Sequence, residues 1–183
     1  MTRERAVSEL SSSPETLKDT AMTYASRLDI PQHIRKHAIA LLQARLSDAL
    51  DLEAQTKQAH WNVKGMNFMQ LHEFFDGLHT IAEEFVDTIA ERITSLGGIA
   101  DGRVQTTAKN TSLYEYALQA NGGTAHLQAL AAALGEFGSH VRADIDKATE
   151  AGDADTADLF TQISRDTDKQ LWFVEAHLVS PGG

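Results

Sequence analysis

Proline is nearly absent from the body of this chain. Its 183 residues hold three, Pro14, Pro31 and Pro181, all toward the ends. From residue 32 to residue 180 nothing locks φ or removes a backbone donor. Long unbroken helices are therefore allowed, and apolar spacing shows where they lie. From Pro31, a residue suited to a first helical turn, the side chains Ile34, Ala38, Leu41, Leu42, Leu46, Ala49 and Leu50 recur at three- and four-residue steps. Gly65 and Asn67 close that segment. A second stripe runs through Leu71, Phe74, Phe75, Leu78, Ile81, Phe85, Ile89 and Ile93. Asn67 is a candidate cap with Gln70 three residues on, and Gly97-Gly98 stops the helix.

A long connection follows, residues 97 to 123. Within it LYEYALQA reads as a short helix capped by Ser112. A third helix is expected from a Thr124 cap through Leu127, Leu130, Leu134, Phe137, Val141 and Ile145 to about Ala151. Gly152 and Asp153 turn the chain into a fourth, with Leu159, Phe160, Ile163, Leu171, Val174 and Leu178. No segment reads as a strand. One long connection between two short ones suggests an all-α, ferritin-like four-helix bundle with a crossover between helices two and three. The expected organisation is a tail over residues 1–30, mobile or partly helical, a bundle over 31–179 and a loose end at 180–183.

Composition removes several classes. There is no cysteine, hence no disulfide, thiolate zinc site or cysteine nucleophile. The net charge of -10 argues against non-specific binding to phosphate backbones. No apolar run approaches the roughly 18 residues of a membrane span, and the first residues lack a secretory signal. A cytoplasmic protein is expected.

The chemistry-bearing residues concentrate between His60 and Glu91. His72 and Asp76 are four apart and share a helix face, as do Asp87 and Glu91. Imidazole with carboxylates suits iron, zinc or manganese. Such pairs are commonly no more than a solvated face, so distance matters. Asp76 and Asp87, eleven residues apart, lie roughly 16 Å apart along one helix, too far to share a metal whose bonds are about 2 Å long. Two copies of that helix, antiparallel across a two-fold axis, could oppose one chain's histidines with the other's carboxylates. His79, Glu136 with His140, and His33 with His37 read as surface groups. His126 and His177 have no evident partners. The acidic residues Asp144, Asp146, Glu150, Asp153, Asp155 and Asp158 cluster at the last turn, with Asp155 and Asp158 placed to favour the start of helix four.

The stretch TKQAHWNVKGMNFMQLHEFFDGLHTIAEEFVDTIAERITSLGG, with its pattern H-x11-H-x3-D-x10-D-x3-E and Trp61 after the first histidine, closely resembles the Dps family. These are the mini-ferritins known as DNA-binding proteins from starved cells. GDADTADLFTQISRDTDKQLWFVEAHL is similar to the family's fourth helix. The resemblance covers residues 30 to 178 and implies a hollow shell of twelve subunits. It implies oxidation of Fe(II), with hydrogen peroxide preferred over O2, at sites between two-fold-related subunits, and storage of ferric mineral. His60, His72 and Asp76 would come from one subunit and Asp87 and Glu91 from the next; zinc could fill the same ligands. Trp61 would be an electron donor beside the site. Asp153 and Asp155 would face a three-fold pore through which Fe2+ enters. DNA binding, nucleoid association included, is the rival function, but the tail is nearly balanced in charge and not Lys-rich. Larger ferritins build their site on Glu-x-x-His, which this chain lacks, and no fifth helix is expected after Leu178.

Overall fold

The computed structural model describes residues 24–179, and all of its regular structure there is helical. The helices are α1 (Gln32–Asn62), α2 (Phe68–Ser95), α3 (Val104–Asn110), α4 (Gly123–Ala151) and α5 (Ala154–Ala176). The expected tail falls mostly on residues 1–23 and the loose end on 180–183, outside the described residues.

The long helices form two antiparallel hairpins, α1 with α2 and α4 with α5, which meet chiefly along α1 and α4. Each buries the stripe its spacing announced, such as Leu71, Phe75, Leu78, Phe85, Ile89 and Ile93 on α2. Phe75, Phe137 and Phe160 are fully buried, and Phe85 stacks on Phe137 with ring centroids 5.9 Å apart. At roughly 25 cal/mol per Å2 of apolar surface removed from water, these stripes are the main force holding the bundle together.

The turns have local causes. Gly152 adopts φ 86°, a left-handed conformation open to glycine. It lets the Asp153 amide donate to the Ala148 carbonyl at 3.0 Å, the closing bond of a Schellman turn. Asp153 then caps α5, accepting from the Thr156 amide at 3.1 Å. Gly98 sits where a Cβ would come within 3.1 Å of Ile39 and Ile93, so the end of α2 packs backbone against α1.

Three local expectations change. The crossover helix is α3 at Val104–Asn110, and residues 113–120 are not helical. Asp101 organises the start of α3, accepting from the Arg103 guanidinium at 2.8 Å and 2.6 Å and from Thr106 at 3.0 Å. Ser112 cannot cap a following helix because its amide and hydroxyl both bond Asp48 of α1, at 2.7 Å and 2.9 Å. Gln55 holds the next turn of chain through the Tyr114 carbonyl at 3.0 Å. The cap of α4 is Gly122, at φ 79°, rather than Thr124. Gly123 abuts Leu71 so closely that a Cβ there would collide with it. Asn67 stands at the cap position of α2 but makes no side-chain cap bond.

Several large apolar side chains lie outside the core: Trp61 is 67% exposed, Met66 100%, Met69 54% and Trp172 63%. No helix among the described residues is long and apolar enough to cross a membrane.

Candidate metal centre

The last turn of α1 and the first turns of α2 run side by side because the Gly65 turn, at φ 113°, folds one back on the other. This brings His60 and His72 face to face, their rings stacked at 3.7 Å. His60 Nδ1 lies 2.8 Å from the His72 carbonyl, and His72 Nδ1 lies 2.8 Å from the His60 carbonyl. A carbonyl only accepts, so each Nδ1 carries the proton and donates it. Both Nε2 lone pairs are left for an external acceptor. Backbone carbonyls fixing the tautomer from behind are the usual arrangement of metal-binding imidazoles.

Asp76, one turn beyond His72, stands at the edge of the pair, with Oδ1 3.8 Å from His60 Nδ1. Lys57, one turn before His60, bonds the same Oδ1 at 2.5 Å. That hydrogen bond is the largest of the influences holding the Asp76 carboxyl below its ordinary range, with smaller help from the charge of Lys57 itself. Asp76 is thus kept as a carboxylate by an ammonium occupying the place of a cation. The sequence reading did not single out Lys57. Its spacing of three from His60, which puts both on one face of α1, is the signal that would have found it.

Asp87 and Glu91 lie further along α2, both exposed, and no contact joins them to the histidines. Among the described residues of one chain no three His, Asp or Glu side chains converge where a metal could sit. Within one chain, then, two groups stand apart: the stacked imidazoles with Asp76 at their edge, and the exposed Asp87 and Glu91. Trp61 points outward beside the first.

The other candidates are placed as follows. Asp153 is buried, at 2% exposure, and its carboxylate is taken up by Arg92 at 2.8 Å and the Thr156 hydroxyl at 2.6 Å. It is the cap of α5, which leaves it little to offer a pore. Asp155, with a side chain 80% exposed, faces out. His79 is half-buried with Nδ1 3.4 Å from the Glu53 carbonyl. His140 bridges Glu136, at 3.1 Å, and Ser112, also at 3.1 Å. His177 bonds its own helix at the Phe173 carbonyl and stacks on Phe74. His33 and His37 are exposed. His126, for which no partner was expected, has one: the Tyr116 hydroxyl lies 2.6 Å from its Nδ1.

Comparison with known proteins agrees with this architecture. Residues 39–180 match the Ferritin-like domain family. The chain is 42% identical over 156 residues to a DNA protection during starvation protein of Agrobacterium fabrum, covering 85% of this chain and 96% of that one. Its backbone superposes on a solved Dps of Mycobacterium smegmatis with a TM-score of 0.82 at 31% identity, covering 87% of this chain and 98% of that one. It superposes on a Dps of Microbacterium arborescens, solved in a high iron form, with a TM-score of 0.74 at 32% identity, covering 83% and 98%. A four-helix bundle of this connectivity, matched over most of its length by sequence and by shape, belongs to the Dps family of ferritin-like proteins.

Proposed function

We propose that this protein is a ferroxidase and iron store. In this reading it oxidises Fe2+ with hydrogen peroxide, or more slowly with O2, and keeps the ferric product inside a shell of twelve copies. The observation that carries it is the reciprocal His60–His72 pair. Two imidazoles are locked with their basic nitrogens free, beside a carboxylate already held charged by Lys57. Family membership and the high iron form of a structural relative support iron as the metal, and zinc is a competitor for the same donors.

The half-sites would be joined by a two-fold axis, each chain offering His60, His72 and Asp76 to Asp87 and Glu91 of a second copy. Anionic oxygens bind a hard cation most firmly, so Asp87 and Glu91 would hold the first ferrous ion. Asp76 would take a second only after releasing Lys57. Each ferrous ion gives one electron, and two bound together would reduce peroxide fully, without a hydroxyl radical, whereas a lone ferrous ion would not. Trp61 would be the nearest aromatic donor if one electron came late. Asp155 would draw Fe2+ toward the shell. A cytoplasmic location fits this role.

The test is optical. Metal-free protein loaded anaerobically with two Fe2+ per subunit should show a fast rise in ferric absorbance on adding one H2O2 per two irons, and a slow rise in air. Asp87→Asn with Glu91→Gln should lose the fast phase. Oxidation no faster than in buffer would overturn the proposal.

DNA protection is the second reading, carried by the names of the relatives. Twelve copies of a chain of charge -10 would repel phosphate, so weak or no binding is expected near neutral pH. Arg3 and Arg5 lie outside the described residues. A gel shift at low salt showing tight binding that vanishes on deleting residues 1–20 would reverse this expectation.

A further inference from the structure

The chain has three tyrosines, and they differ in one respect. Tyr114 is 65% exposed and Tyr24 51%; the Tyr24 hydroxyl donates to the Thr94 carbonyl at 2.6 Å. Tyr116 alone meets a base. Its hydroxyl lies 2.6 Å from His126 Nδ1, with the two rings near-parallel, 22° between planes and 6.1 Å between centroids. His126 is 1% exposed, faces the Phe75 ring at 6.3 Å, and its Nε2 has no hydrogen-bond partner. Imidazole nitrogen is a stronger acceptor than phenol oxygen, so Tyr116 donates and Nδ1 accepts.

Both groups are held in the state this requires. Burial pushes the Tyr116 hydroxyl up to about 12, so it gives no proton to solvent near neutrality. Burial also lowers His126, with the backbone of Asn62 acting in the opposite direction, so the ring is neutral and able to take a proton. Asn62 follows His60 and Trp61 directly at the end of α1.

We infer that Tyr116 and His126 form a proton-coupled redox pair that takes up the single oxidising equivalents escaping from the iron site. The electrons balance as follows. One Fe2+ gives an electron to H2O2, whose O–O bond breaks to hydroxide and hydroxyl radical. That radical, the oxidant, removes one electron from the protein, at Trp61 or directly, and becomes hydroxide. The hole moves to Tyr116 as its phenolic proton crosses to His126 Nδ1, which leaves a neutral tyrosyl radical and an imidazolium. A second Fe2+ returns the electron and His126 returns the proton. Two Fe2+ and one H2O2 have become two Fe3+ and two hydroxides, as if both irons had reacted together. The Lys57–Asp76 bond gives such a pair its use, because a site that binds its second iron reluctantly meets peroxide with one. The link to iron rests on the ferroxidase reading; the redox character of the pair does not.

The test separates the two. Metal-free protein is photo-oxidised by a ruthenium complex with persulfate, frozen and examined by electron paramagnetic resonance. A tyrosyl signal is expected, lost in Tyr116→Phe and kept in Tyr114→Phe and Tyr24→Phe. His126→Gln should lower its yield and abolish its solvent deuterium effect. Substituting 3-fluorotyrosine throughout, which leaves the packing intact, should shift the hyperfine pattern. A signal of equal yield in Tyr116→Phe, or one indifferent to His126, would overturn the inference. In a second arm, Fe2+-loaded protein receives H2O2 while ferric absorbance is followed. The same radical supports the link to iron. Normal ferric formation with no Tyr116 radical overturns that link, whereas absent ferric formation indicts the ferroxidase reading alone.

Discussion

Lys57 and Asp76 show how far single residues decide the chemistry. The ammonium keeps Asp76 ionised and also blocks it. In Lys57→Met the Asp76 carboxyl should titrate at a higher pH than in the parent, approaching its ordinary value of 3.8, as read from carboxyl carbon shifts of the metal-free protein. The sign follows from linkage. A carboxyl lowered on folding contributes stability above its unfolded value and loses it as pH falls through the folded one. Asp76 is exposed, so the gain to the whole fold is small and the titration is the sensitive measurement. The same variant should bind its second ferrous ion more tightly in anaerobic calorimetry; an unchanged isotherm would mean that Lys57 is only a surface partner. Tyr116 carries the opposite sign. Its protonated form is favoured on folding, so its contribution is complete below the ordinary value of 10.0 and is lost as pH rises toward about 12. Alkaline unfolding monitored by tyrosinate absorbance should therefore be less steep in Tyr116→Phe. The five candidate ligands were singled out by the Dps-like motif, and within one chain the structure brings together only His60, His72 and Asp76. The crossed histidine bonds and the tyrosine's base were not legible, since both are made by chain reversal: at Gly65 for one, and across the start of α4 for the other.

Among the elements, the four long helices were legible almost residue by residue, because each must bury a stripe and the stripe shows in the spacing. The crossover was not. It is positioned by side chains of α1, Asp48 and Gln55, rather than by a pattern of its own. Asp48 is fully buried and meets Ser112 and Arg45, while the Thr111 hydroxyl beside it donates chiefly to Asp51 at 2.7 Å. Asp48→Ala should cost about 1–3 kcal/mol in urea denaturation, since it strands the Ser112 amide and leaves Arg45 with Asp144 as its remaining carboxylate, and the Ser112 amide should exchange with solvent much faster. The turn between α4 and α5 shows the same dependence. Removing the Asp153 cap leaves the Thr156 amide without its acceptor and Arg92 with only the Thr156 hydroxyl as a hydrogen-bond acceptor. Asp153→Ala should cost roughly 2 kcal/mol in the same measurement. A cost well below this would mean that Arg92 finds Asp155, already 3.9 Å away.

For the whole molecule, Trp61, Met66, Met69 and Trp172 stand exposed on the subunit surface and are available to contacts between copies. Native mass spectrometry should find about 240 kDa, twelve times the 20.0 kDa chain, and Trp61→Glu should shift the population toward smaller species. Recovery of monomer alone from the parent protein would exclude a shared site. The division of the bundle into two hairpins has its own consequence. All five candidate ligands, and Lys57 with them, lie on α1 and α2, while α4 and α5 hold none. Tolerance to substitution should therefore split along the same line. In a library of random variants screened for intact particles, loss of ferrous binding should map almost wholly to residues 57–91. Changes accepted on α4 and α5, Asp155 apart, should alter melting temperature and leave ferrous binding alone. One half of the chain is then free to drift under selection for packing, while the other is held in place by its ligands.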